Sequence, residues 1–252
     1  MTLSYDIHCA AVERESAQFV RVVTGADPTV PVPSCPGWTL AALITHTGGV
    51  HRWFAGLLRE LVQERPARRD VRLDLPSAPE EYPRWLAEGA AAADTVLRAT
   101  DPDAAMWTWG ADPHARFWAR RMLFETLVHR VDAERALGLP SQIDAVLAAD
   151  GVDEFLTNLP YARPFAPDVA KLRGDGETIL FRCTDRDAEW VVRLRPDGFG
   201  VEPAGLTPDA TVRAPAADLL LLVYGRSERD EDPFECRGDE DLLARWCANS
   251  RF

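Results

Sequence analysis

Only five histidines occur in the 252 residues, at positions 8, 46, 51, 114 and 129, so any histidine-based site must be drawn from a short list. Glu125 and His129 stand four residues apart in FETLVHRVDAERALG. That spacing puts both on one face of a helix, where a carboxylate oxygen and an imidazole nitrogen can meet one cation. The pair alone is weak evidence. With 40 acidic residues in the chain, about one acid falls four places before a histidine by chance. Its plain reading is an exposed helix pair worth a few tenths of a kcal/mol, on the order of 0.3.

His46 changes that weighting, because it shares a helical stripe with Leu43, Val50, Trp53 and Leu57. A histidine on an inward stripe must find a partner, either a polar group of the core or a metal ion. His51 lies five positions on, about 140° round the helix. It is expected to support the site from behind or to lie on the surface. Asp132 follows His129 by one turn and either orients that ring, by accepting a hydrogen bond from its second nitrogen, or is solvated. If His46, Glu125 and His129 meet, two imidazoles and one carboxylate suit zinc with a position left open; the same set would also hold iron, nickel or manganese. One coordinating carboxylate leaves a zinc site net positive, which favours thiolate or hydroxide at neutral pH. Cys35, beside Pro36 at a helix start, is either a reactive thiol or, the commoner case, a buried structural one. GxSxG, GxxxxGK[ST], HExxH and strand-borne GxGxxG signatures are absent from the sequence.

The elements that must position these residues are legible in outline. Apolar positions recur at three- and four-residue spacing in Ile7–Val23, Leu40–Val62, Tyr82–Leu97 and Phe117–Leu137, predicting four long helices and hence a bundle. Thr39 is a plausible N-cap of the second. The connections from about Arg65 to Pro79 and from Asp101 to Pro113 are long enough for a crossover. A fifth helix is expected over Ile143–Leu159, then a Pro-rich boundary ending near Pro167, giving domains over 1–160 and 168–252. Beyond it, ETILFRCTD, AEWVVRLRPDGFGVEP and ATVRAP alternate apolar and polar residues as half-buried strands do. Helices over Ala216–Tyr224 and Asp239–Cys247 complete a small α+β unit.

Twenty-eight basic against 40 acidic residues give a formal charge of −12, which opposes the phosphate neutralisation that nucleic-acid binding needs. Nucleic acid is therefore not an expected partner. The five cysteines are scattered without a CxxC pair, so reduced thiols are expected. The sequence shows neither an apolar run of about 20 residues nor a secretory start, and a cytoplasmic protein without a membrane partner is expected.

Two segments carry a family resemblance: VPSCPGWTLAALITHTGGVHRW (residues 32–53) and FETLVHRVDAERALG (124–138). Both resemble the metal-binding motifs of the mycothiol-dependent maleylpyruvate isomerase family. CTDRDAEWVVRL, PAADLLLLVYGR and the terminal GDEDLLARW extend the resemblance over nearly the whole chain. It implies a DinB-like four-helix bundle followed by a small α+β domain resembling sterol carrier protein folds. It also implies a metal triad of His46, Glu125 and His129. A zinc-bound mycothiol thiolate would add to an electrophile; in the isomerase, addition to the maleyl double bond permits rotation before the thiol leaves. Related members are thought to transfer the thiol to other electrophiles. Mycothiol and a small-molecule electrophile are the implied partners, in a monomer or homodimer. Arg226, in VYGR, sits where an arginine of the second domain could reach a substrate carboxylate, or it is a helix-end cation. Two other functions stay open: a thiol-independent hydrolase or lyase using metal-bound water, and a non-catalytic binding protein on the same scaffold.

Overall fold

Four amphipathic helices fill the first half of the chain. In the computed structural model, which describes residues 3–66, 73–203, 205 and 207–251, they are α1 (Tyr5–Val23), α2 (Leu40–Glu60), α3 (Tyr82–Ala99) and α4 (Ala115–Ala136). The connection expected over Arg65–Pro79 lies partly outside the described residues. Helix starts have local causes. Ser4 Oγ accepts from Ile7 N and Thr39 Oγ1 from Ala42 N, each at 3.4 Å, satisfying amides that no earlier turn can reach. Pro83 sits in the first turn of α3, where its missing N–H leaves no bond unmade.

α1 packs on α4 and α3, and α2 on α3 and α4. Phe19, Leu40, Leu43, Leu86 and Ala133, drawn from all four helices, share one buried apolar cluster. Gly48 brings α2 close to α3, since a Cβ at that position would overlap the Trp85 ring. Arg52 lies over the same indole, its Cζ 3.8 Å from the ring centre. A polar tie crosses this core. Arg130 of α4, 1% exposed, donates to Glu15 of α1 at 2.7 Å, to Glu134 at 2.6 Å and to Gln142 O at 3.0 Å.

The later chain forms α5 (Ala145–Asn158), β1 (Thr178–Cys183), β2 (Glu189–Arg195), β3 (Gly198–Glu202), β4 (Ala210–Ala214), α6 (Ala216–Val223), β5 (Glu235–Gly238) and α7 (Glu240–Asn249). The sheet order is β3-β2-β1-β4-β5. β1 and β4 run parallel and every other pair is antiparallel. Alternation does what the pattern predicts: Ile179, Phe181 and Cys183 on β1, and Ala210, Val212 and Ala214 on β4, are buried. Phe181 and Phe199 pack against Trp246 of α7, with ring centres 5.7 and 5.5 Å away. β5 was not expected from the sequence.

Contacts divide the chain into two compact units. One comprises Leu3–Thr108 with Asp112–Gln142; the other comprises Trp109–Ala111 and the chain from Ile143 onward. α5 thus lies with the sheet, whereas the sequence placed the boundary after it. The cause is what its apolar face covers: α5 packs on α6, Phe155 meets Tyr224 at 4.7 Å between ring centres, and Trp190 of β2 donates to Asp153 at 3.0 Å. All five cysteines are free thiols, and among the described residues no helix is long and apolar enough to cross a membrane.

Candidate metal centre

The pairing of α2 with α4 brings three of the sequence candidates together. His46 Nε2 lies 3.0 Å from Glu125 Oε1, and His129 Nε2 lies 3.5 Å from the same oxygen. The two imidazoles stand edge to face with centres 5.0 Å apart. One donor atom from each residue falls within 4.8 Å of the others. Metal–donor bonds of about 2.1 Å in a tetrahedron give donor–donor edges of roughly 3.4 Å, so this arrangement fits one ion with little adjustment. Side-chain exposure rises from 10% at His129 through 19% at Glu125 to 29% at His46, so the centre opens to solvent on the His46 side. Trp38 forms a wall there, its ring 4.8 Å from that of His46 and 6.1 Å from that of His129.

Burial opposes ionisation of Glu125, but hydrogen bonds from His129 and His46 and the charges of His129 and Arg121 outweigh it, holding the carboxyl well below its usual range. Burial likewise opposes a charge on His129. Asp132, Cys35 and Glu125 reverse that and hold the ring well above the usual histidine range. A cation must therefore displace a proton from His129, and its uptake weakens as pH falls.

His129 Nδ1 lies 2.9 Å from Asp132 Oδ2, and the Cys35 thiol donates to the same oxygen at 3.5 Å. Asp132 is fully buried. A carboxylate at Nδ1 keeps a hydrogen there, so the proton that an incoming cation displaces is the one on Nε2, which faces Glu125. Cys35, His129 and Asp132 form a second group with metal-ligand spacing on the far side of the ring. Asp132→Asn is expected to weaken metal binding by roughly 10- to 100-fold with unchanged helix content. Competition against a chromophoric chelator measures this, and unchanged affinity would show that Asp132 does not orient the ring.

His51 does not lie on the surface. It is fully buried, its Nε2 2.8 Å from Thr126 Oγ1, and burial pushes its pKa down to about 4. It belongs to neither donor group and stands behind the centre, bonded to the residue after Glu125. Arg226 lies in the other unit, just past α6, where its guanidinium donates to Tyr224 O at 2.8 Å, as a helix-end cation does. Arg121 was missed by sequence reasoning. Only 2% exposed, it points its guanidinium at Glu125 Oε2, 3.4 Å away. The available signal was its place one turn before Glu125.

Comparisons with known proteins bear on this centre. The model of the mycothiol maleylpyruvate isomerase N-terminal domain matches residues 9–134, and that of the corresponding C-terminal domain matches residues 146–245. No curated protein sequence matches the chain. The crystal structure of the mycothiol-dependent maleylpyruvate isomerase superposes with a TM-score of 0.62 at 15% identity, over 94% of this chain and 95% of that one. A histidine-to-alanine mutant of such an isomerase gives 0.60 at 16% identity, over 90% and 92%. At such identities the structures speak for a shared fold, with helices in the first half and a sheet in the second. The two domain models speak for descent, and with both matched in order the chain belongs to the mycothiol maleylpyruvate isomerase family.

Proposed function

We propose that this protein is a metal-dependent enzyme that uses mycothiol, either as an isomerase of the maleylpyruvate type or as an S-transferase acting on another small electrophile. The convergence of His46, Glu125 and His129 on a side open to solvent carries this reading. Their two nitrogens and one carboxylate oxygen suit zinc. A divalent ion there supplies positive charge that keeps a thiol deprotonated at neutral pH. Mycothiol supplies a sulfur nucleophile whose addition makes a conjugated double bond rotatable and whose departure returns the thiol.

The chain's own groups do the positioning. His46 and His129 present Nε2, Glu125 adds one anionic oxygen, Asp132 fixes the His129 ring, and Trp38 limits the open side. Arg226 is our candidate partner for a substrate carboxylate. The pairing of α1 to α4 fits a DinB-like bundle, and we read the sheet unit as the sterol-carrier-like domain. A cytoplasmic setting fits five free thiols. A monomer or homodimer with no nucleic-acid partner completes the reading.

The test incubates zinc-loaded protein with maleylpyruvate, with and without mycothiol, and follows the cis-to-trans change by absorbance. Turnover that requires both ion and thiol is the expected result. Consumption of mycothiol with other electrophiles, but no isomerisation, would select the transferase. Turnover without mycothiol would move the assignment to a hydrolase or lyase on the same donors.

A further inference from the structure

Glu125 divides its two oxygens between opposite neighbours. Oε1 faces both histidines, 3.0 Å from His46 Nε2 and 3.5 Å from His129 Nε2. Oε2 faces the Arg121 guanidinium, one turn earlier on α4, at 3.4 Å. Arg121 is 2% exposed, so solvent scarcely reaches it. A guanidinium is planar and permanently charged, and it holds an oxygen along a fixed direction.

That division decides how many donors the three residues can offer. With Oε2 released, both carboxylate oxygens can reach the same ion, which raises the protein donors to two nitrogens and two oxygens and crowds the side where a further donor would enter. With Oε2 held away, the residues supply three donors and a fourth position stays open, the difference between a structural and a catalytic zinc site. Resting on the metal-dependent reading above, we propose that Arg121 is a positioning residue that restricts Glu125 to one-oxygen coordination and so keeps a place open for the incoming thiol.

The experiment uses the full chain loaded with zinc for crystallography and with cobalt(II) for visible spectroscopy, as wild type, Arg121→Met and Arg121→Lys. In zinc-loaded wild-type crystals a single Glu125 oxygen is expected within bonding distance. Arg121→Met is expected to keep its ion, to gain the second Glu125 oxygen, and to lose cobalt absorption intensity as the coordination number rises. Its affinity for mycothiol, read from the cobalt spectrum, should fall by about tenfold or more. Arg121→Lys should recover part of that affinity, which an effect on packing alone would not produce. Two oxygens of Glu125 on the ion in wild type overturn the proposal, even if Arg121→Met does not fold. So does a folded Arg121→Met that binds thiol as tightly as wild type. A wild-type protein that takes up no ion overturns this proposal together with the metal-dependent reading, whereas the other failures leave that reading intact.

Discussion

Protein carrying His129→Ala is expected to purify without a divalent ion and without thiol-dependent turnover, while keeping most of its helix content. His129 offers one of the three convergent donor atoms, and its other ring nitrogen lies 2.9 Å from Asp132. Its loss should exceed the roughly 10- to 100-fold that an outer-shell substitution costs. The helical unit is expected to survive because its apolar stripes, not this centre, supply most of its stability. His46→Ala should behave alike. Glu125→Gln keeps the size and one acceptor oxygen but removes the charge, so it should weaken binding without removing the fold. His51→Ala is the control: it should retain the ion and instead lose stability, about 1–3 kcal/mol, because a fully buried ring and its bond to Thr126 disappear. Elemental analysis of protein purified without a nickel column checks all four. Metal lost in His51→Ala but kept in His46→Ala would show that the wrong histidine of α2 has been assigned.

The second large effect concerns stability. Arg130→Met is expected to lower the unfolding free energy by about 3–5 kcal/mol, because it leaves Glu15 and Glu134 buried without their shared cation. Against a total of about 5–15 kcal/mol, that is enough to unfold a substantial fraction of the protein on warming. Urea titration at fixed pH measures the change. Replacing Arg130, Glu15 and Glu134 together with apolar residues of similar volume should recover most of it, since no unpaired charge then remains. A loss below about 1 kcal/mol for the single substitution would mean that solvent reaches this network more freely than its burial indicates.

Much of this was legible in the residues. The Leu43–His46–Val50–Trp53 stripe, the Thr39 cap and the alternation in β1, β2 and β4 each carry a local physical signal, and each element formed where that signal lies. The candidate donor triad was not legible from spacing alone. Glu125 and His129 gain meaning only with His46 opposite them, and the family motifs supplied that link. β5 escaped because it is four residues of an edge strand, ECRG, mostly exposed and too short to show a period. By contacts α5 groups with the sheet, whereas the sequence set the boundary after it, because periodicity reveals an apolar face but not what will cover it. Arg121 escaped for a different cause, which also decides between the two expectations for His51. α2 is covered by both α3 and α4, and α4 is buried on nearly every face. A polar residue that a one-sided helix would expose is therefore enclosed.

The donors and the wall of the centre belong to different kinds of backbone. His46, Glu125 and His129 project from long helices whose spacing the core fixes, while Cys35 and Trp38 come from the short segment joining α1 to α2. Substitutions in that segment can reshape the space beside the candidate centre without moving its helix-borne donor atoms. In evolutionary terms the two properties are separable: the donor set can be inherited unchanged while the space beside it drifts with a handful of loop residues.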